Sequence, residues 1–185
     1  MPKNLLLIIA LGMLCSSIAH SDEAVSNMTE ASFDEEAIIK EAKELFGKTS
    51  EELAKVVAKA FKEHGKPNAY IKGEETGGAI AIGLRRGQGI LHTATGKAIP
   101  VKWQGPSIGF EIGISASKVL TLVYHLPHVS DIYQRFNGVE GSLYFVAGIG
   151  INYLKKDDIV LAPIRAGVGW RHGANVGYVK FSPDK

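Results

Sequence analysis

After Pro67 the chain alternates like a set of strands, and glycine recurs on one side of the alternation. In SIGFEIGI (107–114) Ile108, Phe110, Ile112 and Ile114 oppose Gly109, Glu111 and Gly113. In LYFVAGIGIN (143–152) Leu143, Phe145, Ile149 and Ile151 oppose Tyr144, Val146, Gly148, Gly150 and Asn152, and Ala166, Val168 and Trp170 oppose Gly167 and Gly169. Glycine inside a strand weakens it unless space or curvature is needed there. Two roles fit: tight coiling of a small closed sheet, or a shallow floor for a helix to lie on.

The β-rich segments are GAIAIGL, GILHT, AIPVKW, SIGFEIGI, VLTLVYHL, SLYFVAGIGINYL, DIVLAPI, AGVGW and NVGYVKF, separated by glycine, proline and charged turns. Their number and spacing predict a barrel or sandwich rather than βαβ units. Ser130 to Phe136 reads as a short helix ended by Asn137 and Gly138, and KKDD (155–158) as a polar hairpin connection.

Two amphipathic helices precede this region. Ser32 with Glu35 forms a capping-box pattern ahead of Ile38, Ile39, Ala42, Leu45 and Phe46, and Gly47 closes the run. Thr49 with Glu52 repeats the signature ahead of Leu53, Val56, Val57, Ala60 and Phe61, stopped by Gly65 and Pro67. Glu and Lys mix on their polar faces, as expected of helices that pack on their own domain.

The first 21 residues read as a secretory signal, with Lys3 ahead of an apolar run from Leu5 to Leu14 too short to span a bilayer. Small residues at Ser17, Ala19 and Ser21 place the cut before His20 or Asp22. The reading is thus a signal peptide over 1–21, a helical segment over 22–66 and a glycine-rich β-domain over 67–185. The expected location is the periplasm, with no integral membrane segment after cleavage. Cys15, the only cysteine, falls within the signal, so the mature chain carries no thiol for a disulfide, a thiolate metal site or a nucleophile. With Lys3 removed the charge falls from +2 to +1, and a balance so near zero argues against nucleic acid as partner.

WQGPSIG (103–109) contains a G-x-S-x-G pattern, the nucleophile elbow of serine hydrolases, with Asp131 or Glu140 and His172 following in hydrolase order. The elbow needs a helix directly after its serine, whereas IGFEIGIS alternates like a strand. The residues Trp103, Gly105, Pro106, Ser107 and Gly109 are therefore read as a structural or surface motif, with Pro106 in a turn between strands. His125 and His128 lie across a proline without a ligand-spaced carboxylate, and Asp131 would be a third ligand only if the loop folds back, so no metal is expected; no cofactor and no catalytic residue is assigned. Arg85, Arg86, Lys102, Arg165 and Arg171 are candidate contacts for an anionic ligand.

The segments GKPNAYIKGEE (65–75), GLRRGQGIL (83–91), WQGPSIGFEIG (103–113), LVYHL (122–126), YQRFNGVEGSLYFVAGIG (133–150) and APIRAGVGWRHGANVGY (162–178) resemble the proteobacterial periplasmic family of the EipA (envelope integrity protein A) type. The resemblance implies a mainly β protein, a small antiparallel β-barrel with two N-terminal amphipathic helices, acting non-enzymatically in envelope integrity. The partner it implies is an envelope component: peptidoglycan, lipopolysaccharide, lipid or protein. WQGPSIGFEIGISASKVLTLVY also resembles the SYLF (Ysc84-like) domains, which implies a lipid-binding module as the alternative function; a serine hydrolase using Ser107 is the second alternative.

Overall fold

The computed structural model describes residues 30–47, 51–166 and 177–184, with the backbone alone at 78–83 and 107–115. Helix α1 spans Glu35–Phe46 and α2 spans Glu51–His64. Asp34, rather than Ser32, caps α1: its carboxylate accepts from the Ala37 N–H at 2.8 Å, and Glu35 and Glu36 sit at the positive end of the helix dipole. Gly47 closes α1 at φ 64° and donates to the Lys43 carbonyl. Gly65, at φ 76°, closes α2 in the same way on Phe61. Thr49, expected to cap α2, lies outside the described residues.

Among the described residues eight strands follow: β1 (Ala69–Thr93), β2 (Ala98–Tyr124), β3 (Arg135–Gly138), β4 (Tyr144–Val146), β5 (Ile149–Ile151), β6 (Leu154–Lys156), β7 (Ile159–Ala166) and β8 (Tyr178–Pro183). β1 and β2 form one long antiparallel hairpin, in register from Ala69↔Val123 to His92↔Ala98 with a bulge between Gly77 and Ala79. The N-terminal half of β2 pairs with β8, β8 with β3, β3 with β6, β6 with β7, and β7 with the C-terminal half of β2. That circuit closes the sheet on itself. The mainly β, antiparallel barrel with two N-terminal helices is the observed fold.

Several boundaries differ from the sequence reading. GLRRGQG does not break a strand, because Arg86, Gln88 and Ile90 take the outward positions of β1. Residues 130–136 are not one helix. Val129–Ile132 makes a single 3-10 turn, pinned by Asp131 accepting from the His128 N–H, and β3 then alternates to bury Phe136. The segment 143–152 is a hairpin: Ala147 (φ 45°) and Gly148 (φ 88°) form a tight turn between β4 and β5. Lys156 and Ile159 pair across the expected polar connection, with Asp157 at φ 52°.

The described residues form two apolar cores, one on each side of the same strands. Inside the barrel lie Ile71, Leu91, Val101, Trp103, Val123, Phe136, Leu161, Val179 and Phe181. Outside it, Tyr70, Leu120, Leu122, Tyr124, Val160, Ala162 and Ile164 receive Ile38 and Ala42 of α1 and Leu53, Val56, Val57 and Ala60 of α2. The helices thus cover one wall of the barrel, and β7 is buried on both faces along most of its length. Each fully buried aliphatic side chain there contributes roughly 1.5–3 kcal/mol. Lys72 of β1 adds an ion pair to Glu41 of α1 at 2.6 Å.

Of the glycines singled out by alternation, Gly148 lies in a turn at φ 88° and Gly150 makes only an ordinary contact with Phe145. The surroundings of Gly109, Gly113, Gly167 and Gly169 lie outside the described residues. The described inner glycines Gly73, Gly87 and Gly89 make room for close backbone approach and for the Trp103 ring. A Cβ on Gly89 would sit 2.3 Å from the Lys72 carbonyl oxygen and 2.8 Å from Gly73 Cα. β1 therefore crosses itself where neither chain has a side chain. Gly89→Ala should cost about 1–3 kcal/mol by overpacking, although alanine removes an unfavourable strand glycine. Gly77, with nothing within 4 Å of its would-be Cβ, should tolerate alanine with unchanged or slightly raised stability. Urea melts of the two variants check the pair.

Candidate functional site

Ser107 lies within β2 and pairs with Gly83, and the strand runs on without a turn to Tyr124. The expected turn at Pro106 is absent. Pro106 pairs with Leu84 on β1 and, among the described residues, lies between the stretches of β2 that pair with β8 (101–104) and with β7 (119–124), so its missing N–H interrupts neither of those two ladders. Gly105 has a packing reason: its Cβ would sit 2.1 Å from the Tyr178 carbonyl oxygen on β8. Trp103 faces inward, 6% exposed, with its ring in a slot left by Gly87 and Gly73 and 5.7 Å from the Phe181 ring. Gly109 pairs with Ala81; its side-chain surroundings lie outside those described.

An elbow would hold its serine at the start of a helix, beside backbone N–H groups that form an oxyanion hole. Ser107 instead has strand on both sides. Of the suggested triad partners, Asp131 accepts from the His128 backbone N–H and lies 3.1 Å from His128 Nδ1, Glu140 is exposed in a turn, and His172 lies outside the described residues. His125 Nδ1 is 3.2 Å from the Asp158 carbonyl oxygen, so the two histidines of HLPH face different partners.

The four basic candidates among the described residues do not converge on one open site. Arg85 and Arg165 meet at Glu75, a carboxylate only 3% exposed: Arg85 Nε lies 2.9 Å from Oε1, and Arg165 Nε donates to Oε2 at 2.9 Å. Arg165 Nη1 also donates to Asn152 Oδ1 at 2.9 Å. Glu75, Arg85 and Arg165 occupy inward positions on β1 and β7 beyond Trp103, where they form a polar cluster in place of apolar core. Lys102 pairs with Asp184 at 2.6 Å, Arg86 is exposed on the outer wall, and Arg171 lies outside the described residues. Glu75 is not legible as a hub from sequence, since its partner Arg165 is 90 positions away.

Two histidines sit in the seam between helices and barrel. The His92 ring stacks on Tyr70 at 4.9 Å, and Phe33 meets the same tyrosine edge-on. At the end of α2, the His64 ring packs edge-on against Tyr153 at 4.5 Å and 5.4 Å from Tyr124. Burial lowers the pKa of both. For His64, Glu63 opposes the shift while His125 and Lys155 reinforce it; for His92, Lys72 reinforces it and Glu41 opposes. Burial also pushes the Tyr70 hydroxyl up to about 12, so it stays protonated.

The histidines make a pH dependence. Above about 6.5, the ordinary histidine value, folded and unfolded chains both hold neutral imidazoles and the seam is at full strength. Below it, the unfolded chain takes up protons that the folded chain resists, so stability falls with pH. Tm should hold steady from pH 8 to 7 and drop from 6.5 to 5. The double variant H64Q/H92Q should show a flatter profile across that window.

The architecture defines a class: a small antiparallel β-barrel that carries a helical layer on one wall and has a core-facing tryptophan at the motif. The chain belongs to the envelope integrity protein A family, which it matches over residues 31–185. It is also similar to a crystal structure of a β-barrel-like, uncharacterized protein from Brucella abortus. The TM-score is 0.76 and the identity 44%, over 83% of this chain and 96% of that one. A search of curated proteins gives no match. No helix among the described residues is long and apolar enough to cross a membrane.

Proposed function

We infer that the chain is exported to the periplasm and supports the cell envelope as a binding or scaffolding barrel without enzymatic activity. The observation that carries this reading is family membership over nearly the whole chain. The apolar N-terminal run supports export, and Ser107 in mid-strand supports a role without nucleophilic chemistry.

The test is rescue of a strain lacking the protein under detergent stress. The full chain should restore growth and accumulate in the periplasm with a new N-terminus at His20 or Asp22. A chain without residues 1–21 should stay in the cytoplasm and fail. Rescue by that leaderless form, at equal expression, would overturn the reading.

A further inference from the structure

Among the described residues, neither helix packs on the barrel wall that carries Arg86, Arg135 and Lys180, and the charge there is one-sided. Residues 67–185 carry 13 Lys and Arg against 8 Asp and Glu, whereas residues 1–66 carry 8 against 11. The near balance of the whole chain therefore conceals a basic barrel, net +5, and an acidic N-terminal part, net −3.

Strand pairing gathers part of that excess into rows. Arg86 pairs with Gln104, Gln104 with Lys180, and Lys180 with Arg135, so four strands carry one continuous outward row. All four side chains are exposed. Beside it run Gln88, Lys102 and Ser182, and on the other side Tyr178, Asn137 and Lys155. Three inter-strand spacings make the central row about 14 Å long. Among the described residues, no carboxylate pairs with Arg86, Arg135, Lys155 or Lys180; Asp184 reaches the wall, and it is paired with Lys102. Arg135 lies over the Tyr178 ring at 3.7 Å and donates to Asn137 Oδ1, which holds its charge against the sheet.

We propose that this outer wall, built from the C-terminal half of β1, the N-terminal half of β2, β8, β3 and β6, docks an extended anionic glycan, a sugar polymer bearing carboxylate or phosphate groups. The row of cations matches a repeating negative charge. The amides of Gln88, Gln104 and Asn137 supply donors and acceptors for sugar hydroxyls between the charges. A bilayer surface fits less well. The exposed aliphatic side chains here, Leu84 and Ile90, are separated along β1 by Arg86 and Gln88, so they make no continuous apolar patch. The proposal rests on the envelope reading for the compartment in which such a polymer is met. Its test uses purified protein, so it can fail while rescue of the envelope defect still succeeds.

The probes are polygalacturonate, neutral dextran, and vesicles of equal parts phosphatidylglycerol and phosphatidylcholine. The mature chain should bind polygalacturonate at 50 mM NaCl, lose most of that affinity by 300 mM, and ignore dextran. The variant R86Q/R135Q/K180Q should bind at least tenfold more weakly with a flatter salt dependence. The charge-matched control K40Q/K43Q/K62Q, on exposed helix positions, should stay within twofold of the parent. If R135Q lowers Tm, the double variant R86Q/K180Q carries the same comparison. Three outcomes would overturn the proposal: the outer-wall variant binding as tightly as the parent, the helix control weakening equally, or vesicles being captured more tightly than the glycan.

Discussion

Trp103→Ala is expected to cost about 3–5 kcal/mol, the range for removing a buried aromatic without collapse of the site. Collapse is blocked here because the walls of the slot are backbone. Gly73 and Gly87 have no side chains to move inward, and a Cβ on Gly87 would sit 2.1 Å from the indole. Phe181 and Phe136 would lose their packing partner or a neighbour of it. For a domain of this size the loss lowers Tm by on the order of 10 °C. Gly87→Ala alone should also destabilise, by clashing with the ring. In the double variant G87A/W103A that clash disappears, so its cost should fall well short of the sum of the singles. Additive losses would mean that the glycine and the tryptophan do not share a contact.

Glu75→Ala is expected to cost about 3 kcal/mol, because it leaves two guanidinium groups close together without their counter-charge. Arg165 and Arg85 keep some solvent contact, at 16% and 23% side-chain exposure, which places the expected loss at the lower end for a broken buried ion pair. The cluster also holds β1 to β7, strands whose direct partner in this region is β2. Urea unfolding of Glu75→Ala checks the magnitude. A variant as stable as the parent would show that water replaces the carboxylate at no cost.

The helices were legible because their apolar stripes, Ile38 with Ala42 and Leu53 with Val56, Val57 and Ala60, repeat at helical spacing and become the buried residues of α1 and α2. The barrel was legible as a class from alternation and glycine. The lengths of β1 and β2 were not, since Pro106 and GLRRGQG look like breaks. What makes them continuous is their unbroken pairing with each other, Pro106 opposite Leu84 and Arg86 opposite Gln104, a property of two segments that meet only in the fold. The purpose of the glycines was half legible. Alternation drew attention to Gly109, Gly113, Gly167 and Gly169, whose surroundings lie outside the described residues. The glycines with a visible packing reason, Gly73, Gly87 and Gly89, are set instead by the crossing of β1 over itself and by the Trp103 slot. The basic candidates illustrate the same limit. Arg85 and Arg86 are neighbours in sequence, yet one turns inward to Glu75 and the other outward to the row with Lys180 and Arg135. Positions 86, 135 and 180 share a surface only because β8 bridges β2 and β3.

The claim that this barrel works without nucleophilic chemistry is tested most directly at Ser107. Ser107→Ala should be produced at the parental level in a strain lacking the protein, and growth measured under detergent stress. The account predicts full rescue with Tm within a few degrees of the parent, since the change removes only one hydroxyl from a position in mid-strand. A Ser107→Ala chain that folds, is exported and melts like the parent, yet fails to restore growth, would contradict it.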